Sequence, residues 1–317
     1  MAKDKKNKHH FIPAAYLAGF GIGTPSIRKR NYLIHVIDKN QKKKFINTCS
    51  NVALRHRYYK IDVDEFDEDA IEDEFASIEG KSLKIIENIC LTHKLPVGDE
   101  YKILMYFLGL MATRIPTFRD QINKMLSEII KLTGKVYFNN ERLDEIADNL
   151  KKSGVDLGDK YNIEELKNFV MNGDYSVLID KGFNLGISLQ MASELYKLLH
   201  ERTWYLYYRT DNMNNHFVTS DSPLILTWND DRTRPYSPGF GLPDTLVIFP
   251  LNHNVVLLGE FGKEQPGPFK ITNEIIKRLN TFQVSFAQRF IYSYTDEFKY
   301  MVKEKRILSS NILVENK

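Results

Sequence analysis

The pattern of apolar and polar residues changes twice along this chain. Residues 32–48 contain two short stretches of β-forming residues on either side of Lys39-Asn40-Gln41, a pattern that predicts a β-hairpin. Between residues 70 and 200 the apolar residues recur at helical spacing, and from residue 203 onward they alternate with a period of two. Such segregated runs of helices and strands favour an α+β fold over an alternating parallel sheet. We therefore expect one closely knit unit with an N-terminal helix and hairpin, a helical segment and a mostly antiparallel β-rich segment, at residues 1–66, 67–201 and 202–317.

Individual elements follow from the same periodicity. Residues 103–111 are apolar on nearly all sides, which predicts a central core helix, and Pro116 should kink that helix or break it just after Ile115. A proline-rich and glycine-rich stretch at 229–244 is long enough to be a binding loop. The predicted helices span 9–20 (opening at Pro13), 70–93, 99–133, 175–200 and 271–289, with a polar helical insert at 139–174. The predicted strands span 32–38, 43–48, 58–63, 204–208, 216–220, 223–228, 245–251, 254–260 and 290–294.

Composition narrows the class of protein. The 317 residues include 44 basic and 41 acidic ones, and the net charge of +3 neither requires nor excludes a nucleic-acid partner. The two cysteines, Cys49 and Cys90, lack the spacing of a zinc site or of a disulfide scaffold. No stretch approaches eighteen uninterrupted apolar residues, and the lysine-rich N-terminus has no apolar region behind it. We therefore expect a cytoplasmic protein that does not span a membrane.

The most informative motif is the stretch from His9 to Phe20, HHFIPAAYLAGF. Its order of histidine, aromatic residue, isoleucine and proline, followed by Tyr-Leu and Phe, resembles the opening of the mostly bacterial domain-of-unknown-function family 4238. Further similarity along the chain is carried by Asn51-Val52-Ala53 with Tyr58-Tyr59, Glu72 and Glu79, Arg114-Ile115-Pro116, Ser220-Asp221-Ser222-Pro223, Phe249-Pro250-Leu251, and Asn280 with residues 289–293. Ser222 departs from the asparagine expected in that turn, which weakens any role requiring two donors there. The resemblance implies no established activity.

Several of these residue types can carry chemistry. His10 could act as a general acid or base, since the pKa of histidine lies near neutrality, or it could cap a helix end. Glu72 and Glu79 lie two helical turns apart on one face, which could bind a divalent metal or simply face solvent. Glu79 is set among apolar residues, so it needs a partner if it is buried, and Arg114 is the natural one. Arg114 then either ties helices to a carboxylate as a structural residue or binds a phosphate group of a ligand.

The turn Ser220-Asp221-Ser222-Pro223 joins two predicted strands. An Asx turn is the ordinary role of such residues, but a carboxylate at a strand end is also a favoured position for catalysis. Asp221 is therefore the fourth candidate catalytic residue, beside His10, Glu79 and Arg114. We assign substrate binding to the neighbours His9, Tyr58, Ser220 and Ser222.

Two functions from different classes fit these residues. The first is phosphodiester cleavage of RNA or DNA, with a role in bacterial defence or as a toxin. Any metal would be Mg²⁺ or Mn²⁺ bound by Glu72, Glu79 and Asp221. The second is a non-catalytic sensor or binding module, in which the same polar residues form a buried structural network. In that case Trp228, Tyr236 and Phe240 of the 229–244 region would contact a ligand or a partner protein.

Overall fold

A computed structural model describes the chain at residues 8–56, 58, 70–140, 143–154, 162–230, 232–262, 267–302 and 306–315. The fold is α+β with mostly antiparallel sheets, as the periodicity predicted. The chain divides into two compact units: Met1–Phe118 with Leu185–Lys317, and Arg119–Asn184. The second unit contains most of the helical insert expected from the sequence. Organisation as one closely knit unit stays a prediction.

The helices of the described residues confirm the helical middle of the chain. The predicted break is present, because α3 ends at Thr113 and α4 begins at Pro116. The helices are α1 (Ala14–Leu17), α2 (Ala70–Thr92), α3 (Gly98–Thr113), α4 (Pro116–Asn140), α5 (Leu143–Lys152), α6 (Ile163–Asn172), α7 (Lys181–His200) and α8 (Asn273–Phe286). Short 3₁₀ turns occupy Ala18–Phe20, Lys29–Asn31, Cys49–Asn51 and Ser310–Leu313.

The strands of the described residues form two larger sheets and two small ones. They are β1 (Lys8–His10), β2 (Leu33–Asp38), β3 (Lys43–Thr48), β4 (Leu54–His56), β5 (Thr203–Tyr208), β6 (Thr219–Ser220), β7 (Ile225–Trp228), β8 (Thr245–Pro250), β9 (Val255–Glu260), β10 (Pro268–Lys270), β11 (Phe290–Ser293), β12 (Lys299–Met301) and β13 (Ile307–Ser309). The five-stranded sheet has the order β10-β5-β9-β8-β7, with β10 and β5 parallel and the other neighbours antiparallel. The pairs β1-β4 and β12-β13 stand apart.

The four-stranded sheet, of order β3-β2-β11-β6, joins the two ends of the sequence. Its strand β11 lies between the N-terminal hairpin and the start of the C-terminal strands, with Tyr292 opposite both Val36 and Thr219. The hairpin predicted at residues 32–48 is confirmed, since β2 pairs with β3 from Leu33 to Asp38. What sequence periodicity could not indicate is that this hairpin continues into a sheet with residues about 250 positions later.

The largest hydrophobic core of the described residues surrounds α3. Eight residues of α3 are buried, in agreement with a core helix that is apolar on nearly all sides. The helix also approaches α7 closely, because a Cβ atom at Gly109 would lie only 2.7 Å from the carbonyl oxygen of Ala192. A glycine is therefore required at this crossing of the two helices.

The N-terminal segment differs from its prediction. We expected residues 9–20 to form one helix, but Lys8–His10 is a strand that pairs with Leu54–His56, and the helix begins only at Ala14. The reason is tertiary, because the backbone before Pro13 finds its hydrogen-bond partners in β4 rather than within a helix. The strand expected at 58–63 lies almost entirely outside the described residues, and Tyr58, its one described residue, is in a turn.

The second unit is built from helices of the polar stretch. Its helix α6 begins at the N-cap Asn162, whose side chain accepts a hydrogen bond from the backbone N–H of Glu164, and it ends at Gly173 in the left-handed conformation. The ammonium group of Lys131 donates to the carbonyl oxygen of Gly173 at 2.8 Å, which ties α4 to the end of α6.

Candidate functional site

Three of the four candidate catalytic residues meet in the first unit. Strand β1 ends at His10, helix α2 carries Glu79, and Arg114 is the C-cap residue of α3. The Pro116 break sets the end of α3, so Arg114 leaves the helix at its last turn and its side chain reaches the other two segments. Tertiary packing thus brings together residues that are more than one hundred positions apart in sequence.

Arg114 is the centre of this cluster. Its Nη1 atom lies 2.6 Å from Oε1 of Glu79, which confirms the predicted pair. Its Nε donates to the carbonyl oxygen of Phe11 at 2.9 Å, and its Nη2 donates to that of His10 at 3.1 Å. The guanidinium carbon also lies 5.3 Å from the ring centre of Phe75. The arginine side chain is 2% exposed, so the group ties β1, α2 and α3 together in the interior.

His10 is held by a backbone carbonyl group. Its Nε2 lies 3.2 Å from the carbonyl oxygen of Ser50, so that nitrogen carries the proton and donates. Burial lowers the pKa of His10, and the nearby carboxylate of Glu79 partly opposes this effect. The neutral imidazole is therefore the favoured form near neutral pH.

Two of the four residues assigned to substrate binding, His9 and Tyr58, belong to the segments around this cluster. His9 is buried, and its backbone pairs with Arg55 in the β1-β4 sheet. Tyr58 is buried as well, and its ring meets that of Phe11 edge to face at a centroid distance of 6.4 Å. The side chain of Glu72 lies outside the described residues.

Asp221 belongs to a different set of contacts. Its Oδ1 accepts from the backbone N–H of Gln288 at 2.8 Å, and its Oδ2 accepts from those of Arg289 at 2.8 Å and Phe290 at 2.9 Å. Burial raises the pKa of this carboxyl group, while the three N–H donors and the ammonium group of Lys39 act in the opposite direction. The carboxylate thus holds the chain between α8 and β11.

An ion pair reinforces the same junction. The guanidinium of Arg289 donates to both carboxylate oxygens of Asp38, with Nη2 to Oδ2 at 2.7 Å and Nε to the two oxygens at 3.1 and 3.0 Å. These hydrogen bonds hold the pKa of Asp38 below its ordinary value. No contact described between residues 8 and 315 joins Asp221 directly to Arg114 or Glu79.

Ser220 and Ser222 form a local turn beside Asp221. The hydroxyl of Ser220 donates to Oε1 of Gln283 at 2.8 Å, and the backbone N–H of Ser222 donates to that hydroxyl at 3.2 Å. Gln283 in turn donates to the carbonyl oxygen of Pro223 at 2.9 Å. Sequence reasoning missed Gln283, although an amide on the apolar face of a helix is a signal for a buried polar network.

A cavity of about 280 Å³ lies beside the N-terminal motif and was not predicted. One wall consists of Ala15, Tyr16, Ala18 and Gly19 from the motif itself, so its small residues make room for the cavity. The rest of the lining is Lys29, Tyr32, Leu83, Ile86, Glu87, Cys90, Leu91, Leu251 and Asn252. Burial raises the pKa of Cys90 to about 12, which keeps its thiol protonated at neutral pH.

The 229–244 region is organised by arginines. Arg202, at its base, donates to the carbonyl oxygens of Phe240 at 2.6 Å and Thr245 at 3.0 Å. Within the region, the guanidinium of Arg234 lies 4.1 Å from the ring centre of Trp228. Tyr236 meets the same ring edge to face at 5.5 Å and is 59% exposed. Two of the three aromatic residues singled out from the sequence are thus in contact.

Within the eight described ranges, no three histidine, cysteine, aspartate or glutamate side chains are grouped closely enough to hold a metal ion. None of the helices among these residues is long and apolar enough to cross a bilayer.

Fold and site together define an α+β protein with a buried arginine-centred network and an apolar cavity. Residues 8–297 match the profile of the family described as protein of unknown function (DUF4238). The chain belongs to this family, which confirms the resemblance first indicated by the stretch from His9 to Phe20. Neither the curated proteins nor the solved structures provided a match to the chain.

Proposed function

We propose that this protein is a non-catalytic binding module, and that its buried polar residues lock the helices to the sheets. The observation that carries the proposal is that each of the three guanidinium nitrogens of Arg114 is hydrogen-bonded, to Glu79 or to the carbonyl oxygens of His10 and Phe11. A guanidinium that clamps a phosphate must turn N–H groups toward the ligand. Here, releasing them would leave buried carbonyl groups without donors, each at a cost of about 1–3 kcal/mol.

The engagement of Asp221 supports the same proposal. A carboxylate that acts as a base or a metal ligand needs lone pairs directed at the reacting group. Both oxygens of Asp221 instead accept backbone N–H groups from residues 288–290. Its contacts are those of a structural carboxylate that fixes a chain junction.

Phosphodiester cleavage of RNA or DNA, in bacterial defence or as a toxin, is the second candidate function. One observation favours it: His10 and Glu79 are only partly buried, and the charges of Glu79, Arg30 and Arg114 all act on the imidazole. A histidine beside a carboxylate and two cations is a suitable arrangement for general acid–base chemistry on a phosphate. We also propose a cytoplasmic location, which the free thiols of Cys49 and Cys90 support.

A cleavage assay with a matched histidine control separates the two candidates. Purified wild type, His10→Ala and His56→Ala are incubated with labelled RNA and plasmid DNA, with and without Mg²⁺ or Mn²⁺. His56 is the control because it is an exposed histidine on the neighbouring strand β4. The binding-module proposal expects no cleavage by any of the three proteins.

Thermal unfolding of the same variants completes the test. We expect His10→Ala to lower the melting temperature, since it removes the hydrogen bond to Ser50, and His56→Ala to leave it unchanged. Cleavage by the wild type and by His56→Ala, lost in His10→Ala at an unaltered melting temperature, would establish the nuclease and overturn the binding module.

A further inference from the structure

We propose that the cavity beside the N-terminal motif binds a small carboxylic acid with an apolar body. This inference rests on the proposed binding module and assigns its ligand. The cavity, named here the motif cavity, is defined by Ala15, Lys29, Leu83, Glu87, Cys90 and Asn252 among its lining residues.

Hydrogen bonds and close packing fix the walls of the motif cavity. The hydroxyl of Tyr16 donates to the carbonyl oxygen of Pro250 at 2.7 Å. The carbonyl oxygen of Gly19 accepts from the backbone N–H of His253 at 3.0 Å, and Nδ1 of His253 lies 2.7 Å from the same oxygen. A Cβ atom at Gly19 would lie 3.0 Å from Cβ of Asn252, so glycine allows this close approach. A cavity held open by such contacts is preformed, as ligand sites usually are.

The lining of the cavity selects an apolar ligand body. Most of the lining side chains are aliphatic or small, and the thiol of Cys90 is uncharged because burial raises its pKa. The volume of about 280 Å³ lies just below the usual ligand-site range of roughly 300–1,000 Å³. The ligand is therefore small, with a body the size of a short alkyl chain or a single aromatic ring.

Two lining residues recognise the carboxylate. Lys29 forms an ion pair with Glu87, but both side chains are about half exposed, so solvent screens the pair and makes it weak. A ligand carboxylate can take the place of Glu87, which then returns to solvent. The side-chain oxygen of Asn252 accepts from the backbone N–H groups of Asn254 at 2.7 Å and Val255 at 2.8 Å. This fixes the amide, so the NH₂ group of Asn252 is the second donor for the ligand.

The head group is tested with three probes that share one body: octanoate, octanamide and octylamine, titrated calorimetrically at pH 7. We expect saturable binding of octanoate by the wild type, weakened at least about tenfold by Lys29→Met. Lys43→Met, which removes an exposed lysine from β3, should leave the affinity unchanged. Octanamide or octylamine binding as tightly as octanoate would overturn the carboxylate assignment.

The position of the ligand is tested in two independent ways. Ala15→Leu fills the cavity from α1 and should abolish octanoate binding. In the unmodified protein, octanoate should slow alkylation of Cys90 by excess iodoacetamide at pH 9, where a small thiolate fraction can react, while alkylation of the fully buried Cys49 does not respond. Absence of binding, or binding that neither protects Cys90 nor responds to Ala15→Leu, would overturn the site. These outcomes are separate from those of the cleavage assay, which tests the proposed function through His10.

Discussion

Nη1 of Arg114 lies 2.6 Å from Oε1 of Glu79, and the same guanidinium donates to two carbonyl oxygens of the N-terminal segment. The interaction joins three segments of the first unit through one side chain. Since the arginine is buried and the glutamate is 23% exposed, the arginine is the partner whose loss costs more.

Arg114→Met should lower the free energy of unfolding by about 3 kcal/mol, because it leaves the carbonyl groups of His10 and Phe11 without their donors. Urea unfolding measures the change. Arg278→Met, at an exposed position of α8, is the matched control and should stay within about 0.5 kcal/mol of wild type. An equal effect of both substitutions would show that the interior network contributes nothing to stability.

Asp221→Ala should destabilise the protein by about 2–5 kcal/mol, since three partly buried backbone N–H groups lose their acceptor. Asp221→Asn keeps one side-chain oxygen as acceptor and should cost less. Hydrogen exchange locates the effect: the amides of residues 288–290 should lose protection in the alanine variant, whereas those of β5 should keep theirs. Unchanged exchange at 288–290 would contradict the junction role of Asp221.

His216 should make stability depend on pH. Burial is the largest cause of a pKa of about 4 for His216, against an ordinary value of 6.5, and the charges of Arg209 and His253 add to it. Below pH 6.5 the unfolded chain binds a proton at this histidine, whereas the folded state does so only near pH 4. The free energy of unfolding therefore keeps its full contribution from His216 above pH 6.5 and decreases as the pH falls from 6.5 to 4.

Thermal unfolding between pH 7 and 4 measures this dependence. The groups around His216 include His253, the ring of Tyr294 at a centroid distance of 5.1 Å, Arg209 and Asn254. Burial also lowers the pKa of His253, so it contributes with the same sign. His216→Gln should make the pH dependence shallower, while His56→Gln should leave it as in wild type. An equally steep loss in His216→Gln would assign the dependence to other groups.

Gly109→Ala should destabilise the protein by about 1–3 kcal/mol, because the new Cβ atom would lie 2.7 Å from the carbonyl oxygen of Ala192 and force α3 away from α7. Gly80→Ala is the control within a helix. Beyond the backbone of its own helical turns, no atom of the described residues lies within 4 Å of a Cβ at Gly80, so the change should stabilise the protein by about 0.5–1 kcal/mol. Chemical denaturation should show a lower free energy of unfolding for Gly109→Ala and a higher one for Gly80→Ala. Changes of the same sign in both variants would refute the packing argument.

Local sequence was sufficient for the elements that depend on near neighbours. The apolar residues at 103–111 predicted the core helix α3, Pro116 predicted its end, and residues 32–48 predicted the hairpin of β2 and β3. The Arg114–Glu79 pair was also predicted, since a charged residue among apolar ones requires an opposite charge. The strand at Lys8–His10 was missed because its partner, β4, lies more than forty residues away.

The sequence by itself determined the α+β class, the family, the order of segments and which residues have side chains capable of chemistry. Only the tertiary structure decided what those residues do. The partners of Asp221 are backbone groups 67 to 69 positions later, and the motif cavity combines residues near positions 15, 29, 87 and 252. The periodicity of apolar residues indicates which side chains share a face of one helix or strand. The hydrogen-bond partners of a buried polar group and the shape of a cavity depend instead on segments that meet only in the folded chain.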